Sequence, residues 1–149
     1  MSLLISSDTY ARLTAHLQAA YPHEGVGLLL GHADGAHPDL QKTAQAVLPL
    51  PNRFEEGEQH HRYLITAQDM LDGETEAARR GLDVIGVFHS HPDSPAQASE
   101  YDREFALPWY SYLIVSVQKG SATDARAWAL ADDRSQFFEE EFKIESNSD

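Results

Sequence analysis

Apolar positions early in the chain recur at helical spacing. Tyr10, Leu13, Leu17 and Tyr21 make one stripe, Ser7 or Asp8 can cap its start, and Pro22 closes it. The period then changes. Val26 to Leu30 is a short apolar run with Gly25, Gly27 and Gly31 around it, which predicts a buried strand. The polar stretch from His32 to Pro38 predicts a turn, and Ala44 to Leu50 a returning strand. Pro51 to Arg62 is polar and predicts a loop.

A second helix is expected after Thr66, with Asp69 at the capping-box position and Met70, Leu71, Ala77 and Ala78 as its inner face. Arg79 and Arg80 sit at the negative end of its dipole, and Gly81 follows as the cap. Val84-Ile85-Gly86-Val87-Phe88 carries no charge and is too short for an independent helix, so it predicts a central strand. A proline-bearing loop follows, then a short helix capped by Ser99 and running to about Leu107. Tyr112 to Val117 and Arg126 to Leu130 predict strands, whereas Phe138 to Ile144 fits either an edge strand or a short helix. This order gives an α/β class, with a mixed, mainly antiparallel sheet flanked by helices in a sandwich.

Length and composition narrow the picture. The 149 residues favour a single domain over the whole chain, with about 145–149 as a frayed end. Cysteine is absent, so disulfides and thiolate sites are excluded, and any metal must sit on His, Asp or Glu. A net charge of −13 argues against binding a phosphate backbone. The first residues show no basic segment before an apolar run, and no stretch approaches a membrane span, so no membrane partner is expected and the cytoplasm is the default location.

The chemistry concentrates after the central strand. His89-Ser90-His91 stands at its end, and residues two apart in an extended chain share a face, so both imidazoles can aim at one point. Ser99 and Asp102 follow, at a distance that lets the intervening loop fold back over the strand end. Ser99-x-x-Asp102 is equally the start of a helix, with serine as the cap and an acid three residues on. The two readings are compatible, because a helix start is a rigid mount for a ligand. Two imidazoles and a carboxylate leave the fourth position of a tetrahedral zinc open to water. The same set would also suit non-haem Fe(II).

His89-x-His91-x7-Ser99-x-x-Asp102 resembles the signature of the JAMM (MPN+, JAB) zinc metalloproteases, and the chain resembles the small, single-domain prokaryotic members. Chance placement of these residue types gives roughly 0.003 occurrences in such a chain. The resemblance extends over about Tyr10 to Leu130. It implies an MPN/JAB, cytidine-deaminase-like sandwich, with zinc on His89, His91 and Asp102, Glu24 as general base and Ser99 as oxyanion donor. Glu24 belongs to the segment Pro22-His23-Glu24-Gly25-Val26, in which Val26 stands where many relatives carry cysteine. Asn52 matches an asparagine of the family pattern. The implied activity is hydrolysis of peptide or isopeptide bonds, with a ubiquitin-like or sulfur-carrier protein cut after Gly-Gly as substrate. A non-catalytic MPN-type scaffold is the alternative, which retention of all five site residues opposes. His60-His61 reads as loop surface, because adjacent side chains diverge.

Overall fold

The computed structural model describes residues 1–36 and 39–146. Seven strands and three α-helices are formed: β1 (Ser2–Ser6), α1 (Ser7–Ala20), β2 (Val26–Asp34), β3 (Gln41–Leu50), α2 (Ala67–Arg79), β4 (Asp83–Pro92), α3 (Glu100–Phe105), β5 (Ser111–Gln118), β6 (Ser121–Leu130) and β7 (Phe137–Glu145). The strands follow the order β1-β3-β2-β4-β5-β6-β7, and β7 returns to β1 to close the sheet.

Closure and direction differ from the sequence expectation. Four pairings are antiparallel (β2 with β3 and β4, β6 with β5 and β7), and three are parallel (β1 with β3 and β7, β4 with β5). The sheet is therefore evenly mixed and barrel-like rather than mainly antiparallel. Strand β1 accounts for the difference. It is too short to signal itself by alternation, yet Leu3 and Ile5 are buried and both of its neighbours run parallel to it.

Helix α1 packs against β1, β3, β5, β6 and β7, so the sheet curls around it, while α2 covers β2 and β4 from the other face. Two apolar clusters result. Leu13 and Leu17 of α1 meet Leu3, Ile5, Leu29, Phe88, Leu113 and Val115. Ala77 of α2 belongs with Val26, Leu28, Leu30, Val87 and Tyr112. Alternate residues of β2 and β4 thus enter different clusters. Both faces of these strands are covered, which is why they read as continuous apolar runs.

Several boundaries move. The cap of α1 is Ser6, whose side chain accepts from Thr9 N, rather than Ser7 or Asp8. Strand β2 continues through His32 to Asp34, where a turn was expected, because pairing with Thr43, Lys42 and Gln41 outweighs its polar composition; His37 and Pro38 of that turn lie outside the described residues. Thr66 caps α2 as expected, but Asp69 gives its carboxylate to Arg53 at 3.0 Å instead of returning it to the cap. The inner face of α2 is Met70, Gly73 and Ala77, with Leu71 and Ala78 exposed. At Gly73 a Cβ would collide with Leu28, so glycine lets the helix lie close on β2. Gly81 stands one place beyond the cap residue Arg80, at φ 71°. The segment 138–144 is strand, held by β6 and β1. Glu145 still pairs with Ser6, so the expected fraying does not include it; residues 147–149 lie outside the described residues. Among the described residues no helix is long and apolar enough to cross a membrane.

Candidate metal centre

Strand β4 runs on to Pro92, so His89, Ser90 and His91 are strand residues. The alternation of side chains sends the two imidazoles to one side, with their Nε2 atoms 3.3 Å apart. Ser90 points to the other side. Its Oγ accepts from Gly25 N at 2.8 Å and its N–H donates to Gly25 O at 3.1 Å. The antiparallel register of Val26 with His89 sets the start of β2 beside the end of β4. Glu24, just ahead of β2, is thereby delivered to the histidine pair. The role of Ser90 escaped the motif reading, although the period of two already sent it to the opposite face.

Asp102 arrives from α3. Ser99 caps this helix in a full capping box: its Oγ accepts from Asp102 N at 3.0 Å, and Ser99 N donates to Asp102 Oδ2 at 2.9 Å. The carboxylate lies 3.3 Å from His89 Nε2 through Oδ1 and 3.1 Å from His91 Nε2 through Oδ2. The preceding loop is tied down at three successive carbonyls. Ser94 O accepts from Ser116 Oγ, Pro95 O meets His91 Nδ1, and Ala96 O accepts from Trp128 Nε1, at 2.6, 2.8 and 3.0 Å. Trp128, far along the chain from His89 and His91, had no sequence signal to mark it.

The donor set fits a metal ion. Two nitrogens on one tetrahedral zinc stand about 3.3–3.4 Å apart, close to the 3.3 Å between the two Nε2 atoms, while Asp102 meets the two imidazoles through different oxygens. Nδ1 of His91 faces Pro95 O, so Nε2 is the nitrogen turned toward Asp102 and the one that could ligate a cation when the ring is neutral. Glu24, His89 and His91 also offer ligand atoms within 4.8 Å of one another, a buried group that could hold a metal ion. Two carboxylates therefore compete for one histidine pair. Both oxygens of Asp102 are in contact with imidazole nitrogen. Glu24 Oε1 is buried without a hydrogen-bond partner among the described residues, and it stands ready for a further molecule.

Electrostatics separate the two acids. Burial raises the Glu24 carboxyl to about 8, with the charge of His91 opposing and that of Asp102 reinforcing the rise. Burial pushes Asp102 up as well, but the charges and hydrogen bonds of His89 and His91 outweigh it and hold that acid well below the usual carboxylate range. Burial lowers His89, against the pull of Asp102. His91 is raised, because its bonds to Asp102 and Pro95 overcome the effect of burial.

The centre opens into a cleft of about 360 Å³ whose lining includes Glu24, His91, Ser99, His60 and His61. His60 and His61 are loop surface as expected, but not for the reason expected. Both are exposed, yet they face the cleft, and their rings do not diverge: His61 Nδ1 lies 2.7 Å from His60 Nε2. Tyr63, from the same segment, lays its ring against His89 with centroids 4.5 Å apart. Ser99 Oγ uses a lone pair for Asp102 N, which leaves its hydroxyl hydrogen for the cleft.

Known proteins share this framework. The description "Prokaryotic homologs of the JAB domain" matches residues 6–131. A probable TtuB-protein conjugate cleaving protease of Thermus thermophilus is 33% identical over 67% of this chain and 60% of its own. A desampylase of Haloferax volcanii is 32% identical over 64% of this chain and 63% of its own. The chain thus spans somewhat under two thirds of the length of these relatives. Among solved structures, a Salinibacter ruber protein is 39% identical with a TM-score of 0.71, covering 96% of this chain and 90% of that one. A Desulfitobacterium hafniense protein is 26% identical with a TM-score of 0.82, covering 97% and 94%. The chain belongs to the family of prokaryotic JAB-domain homologs.

Proposed function

We propose that the chain is a zinc-dependent metallopeptidase that hydrolyses peptide or isopeptide bonds. His89, His91 and Asp102 are its metal ligands, Glu24 its general base and acid, and Ser99 its oxyanion donor. The observation that carries the reading is the contrast between two buried carboxylates at one histidine pair: both oxygens of Asp102 are engaged, by the imidazoles and by Ser99 N, whereas Glu24 Oε1 has no partner among the described residues. A fully engaged Asp102 suits a ligand. An unengaged Glu24 oxygen suits proton exchange.

Bound zinc would supply a more acidic water and a Lewis acid for the scissile carbonyl. The residues of the chain do the rest. Glu24 Oε1, with no hydrogen-bond partner among the described residues, accepts a proton from the attacking water and delivers it to the departing amine nitrogen. The Ser99 hydroxyl donates to the carbonyl oxygen as negative charge grows there. The C–N bond breaks, leaving one carboxylate and one free amine.

The substrate proposed is a ubiquitin-like or sulfur-carrier protein, cut after its terminal Gly-Gly where it bears a C-terminal extension or a lysine-linked partner. The names of the relatives from Thermus and Haloferax support that class. Glycine beside the scissile bond suits a site whose histidines are buried, since no Cβ then keeps the backbone away. The lack of cysteine fits work in a reducing compartment such as the cytoplasm. The test is mass spectrometry of a Gly-Gly-linked fusion after incubation with zinc-loaded enzyme and with Glu24→Gln. Cleavage immediately after Gly-Gly by the first alone is expected. Cleavage elsewhere, or equal cleavage by both, contradicts the proposal.

A further inference from the structure

Glu24 lies outside the regular ladder, between the end of α1 and the start of β2. What fixes its backbone is the segment after β3. Its N–H donates to Gln59 O at 2.6 Å, and its carbonyl accepts from Asn52 Nδ2 at 2.9 Å. Asn52 uses its whole side-chain amide. Nδ2 donates to Glu24 O and to Arg62 O, both at 2.9 Å; Oδ1 accepts from Phe54 N at 3.0 Å and from Leu64 N at 3.2 Å. Two carbonyls on one side and two N–H groups on the other admit a single orientation of the amide. The same side chain therefore gathers both ends of the segment 53–64 and the residue that bears the free carboxylate. Gln59 adds to this by donating from Nε2 to Asn52 O and Phe54 O at 3.2 and 2.7 Å, which holds the carbonyl that receives Glu24 N.

We infer that Asn52 is the positioning residue for Glu24: it fixes the backbone on which the carboxylate must meet the proton it moves. The inference rests on the proposed role of Glu24. The proposed metal ligands stand on β4 and α3, and none of the four side-chain hydrogen bonds of Asn52 reaches them; its one link toward them is indirect, through Arg62 and Leu64 to Tyr63 against His89, which is why zinc content is read alongside rate. No other common side chain fits. Aspartate would set an oxygen against two carbonyls, and an apolar residue would abandon four backbone groups.

The experiment is a double-mutant cycle on the zinc-loaded protein, with a Gly-Gly-linked fusion as substrate. Asn52→Asp keeps both accepting contacts and loses both donating ones. It is expected to lower kcat roughly 10–100-fold, as a misplaced reacting group does, with KM within about twofold and zinc content unchanged. In a Glu24→Gln background the same substitution should cost less than about twofold, since the group it positions has already been removed. Equal losses in both backgrounds, or zinc loss that tracks the rate, would overturn the positioning role. If Asn52→Asp does not fold, the uncharged Asn52→Ser enters the same cycle with the same expectation. Wild-type activity in Asn52→Asp beside an inactive Glu24→Gln refutes this inference alone. An active Glu24→Gln refutes the proposed function beneath it.

Discussion

Glu24 and Asp102 are buried almost equally, 3% and 4% exposed, and they flank the same two imidazoles. Their surroundings nevertheless drive them apart. Asp102 sits on a capped helix start, contacts both histidines and accepts from Ser99 N. Glu24 hangs from backbone hydrogen bonds to Asn52 and Gln59, next to the Ser90-held Gly25, with one oxygen left without a partner among the described residues. Burial alone raises a carboxyl pKa; cationic and hydrogen-bonding partners reverse it. The difference shows that depth of burial does not assign a role to an acid. What matters is whether its oxygens are already committed.

The same chemical change at each acid should break this contrast in opposite ways. Asp102→Asn keeps the shape and the capping contact but removes the charge between the histidines. Turnover should fall to background, because the ion is lost, and thermal stability should drop to that of chelator-treated wild type by mass action; thermal melts with and without chelator check it. Glu24→Gln should reduce kcat by about 10²–10⁴-fold, the usual yield of general acid–base catalysis, while added zinc still raises its melting temperature as in wild type.

Smaller changes sharpen the Asp102 side. Ser99→Ala removes both the proposed oxyanion donor and a helix cap. Turnover is expected to fall about 10²–10³-fold, and urea unfolding should report a loss of about 1 kcal/mol from the cap. A stability loss with unchanged turnover would leave Ser99 a cap only. Trp128→Phe keeps the ring but deletes the donor to Ala96 O. It should cost about 1 kcal/mol in urea unfolding, the net worth of one hydrogen bond, and only a few-fold in turnover.

How far the sequence reached follows the same division. The β4–α3 side was legible because its information is local. A strand end places His89 and His91 together, and a capping pattern places Asp102, all within fourteen residues. Glu24 was located through resemblance, since nothing in a lone acid after a helix announces a base. The segment 51–62 was read as a loop in which only Asn52 stood out, through the resemblance; Asn52 and Gln59, and Tyr63 just beyond, act through contacts to distant chain, which periodicity does not encode. Strand β1 and the closure of the sheet were missed for that reason too. Five residues gain their strand identity only from parallel neighbours at Gln41–Ala44 and Glu141–Glu145.

The central claim is that one buried carboxylate holds the metal and the other does not. Elemental analysis of zinc in Glu24→Gln and Asp102→Asn, purified and dialysed alongside wild type, tests it directly. Glu24→Gln should retain zinc near the wild-type level, and Asp102→Asn should lose most of it. The reverse pattern, or equal zinc content in the two variants, would contradict the account.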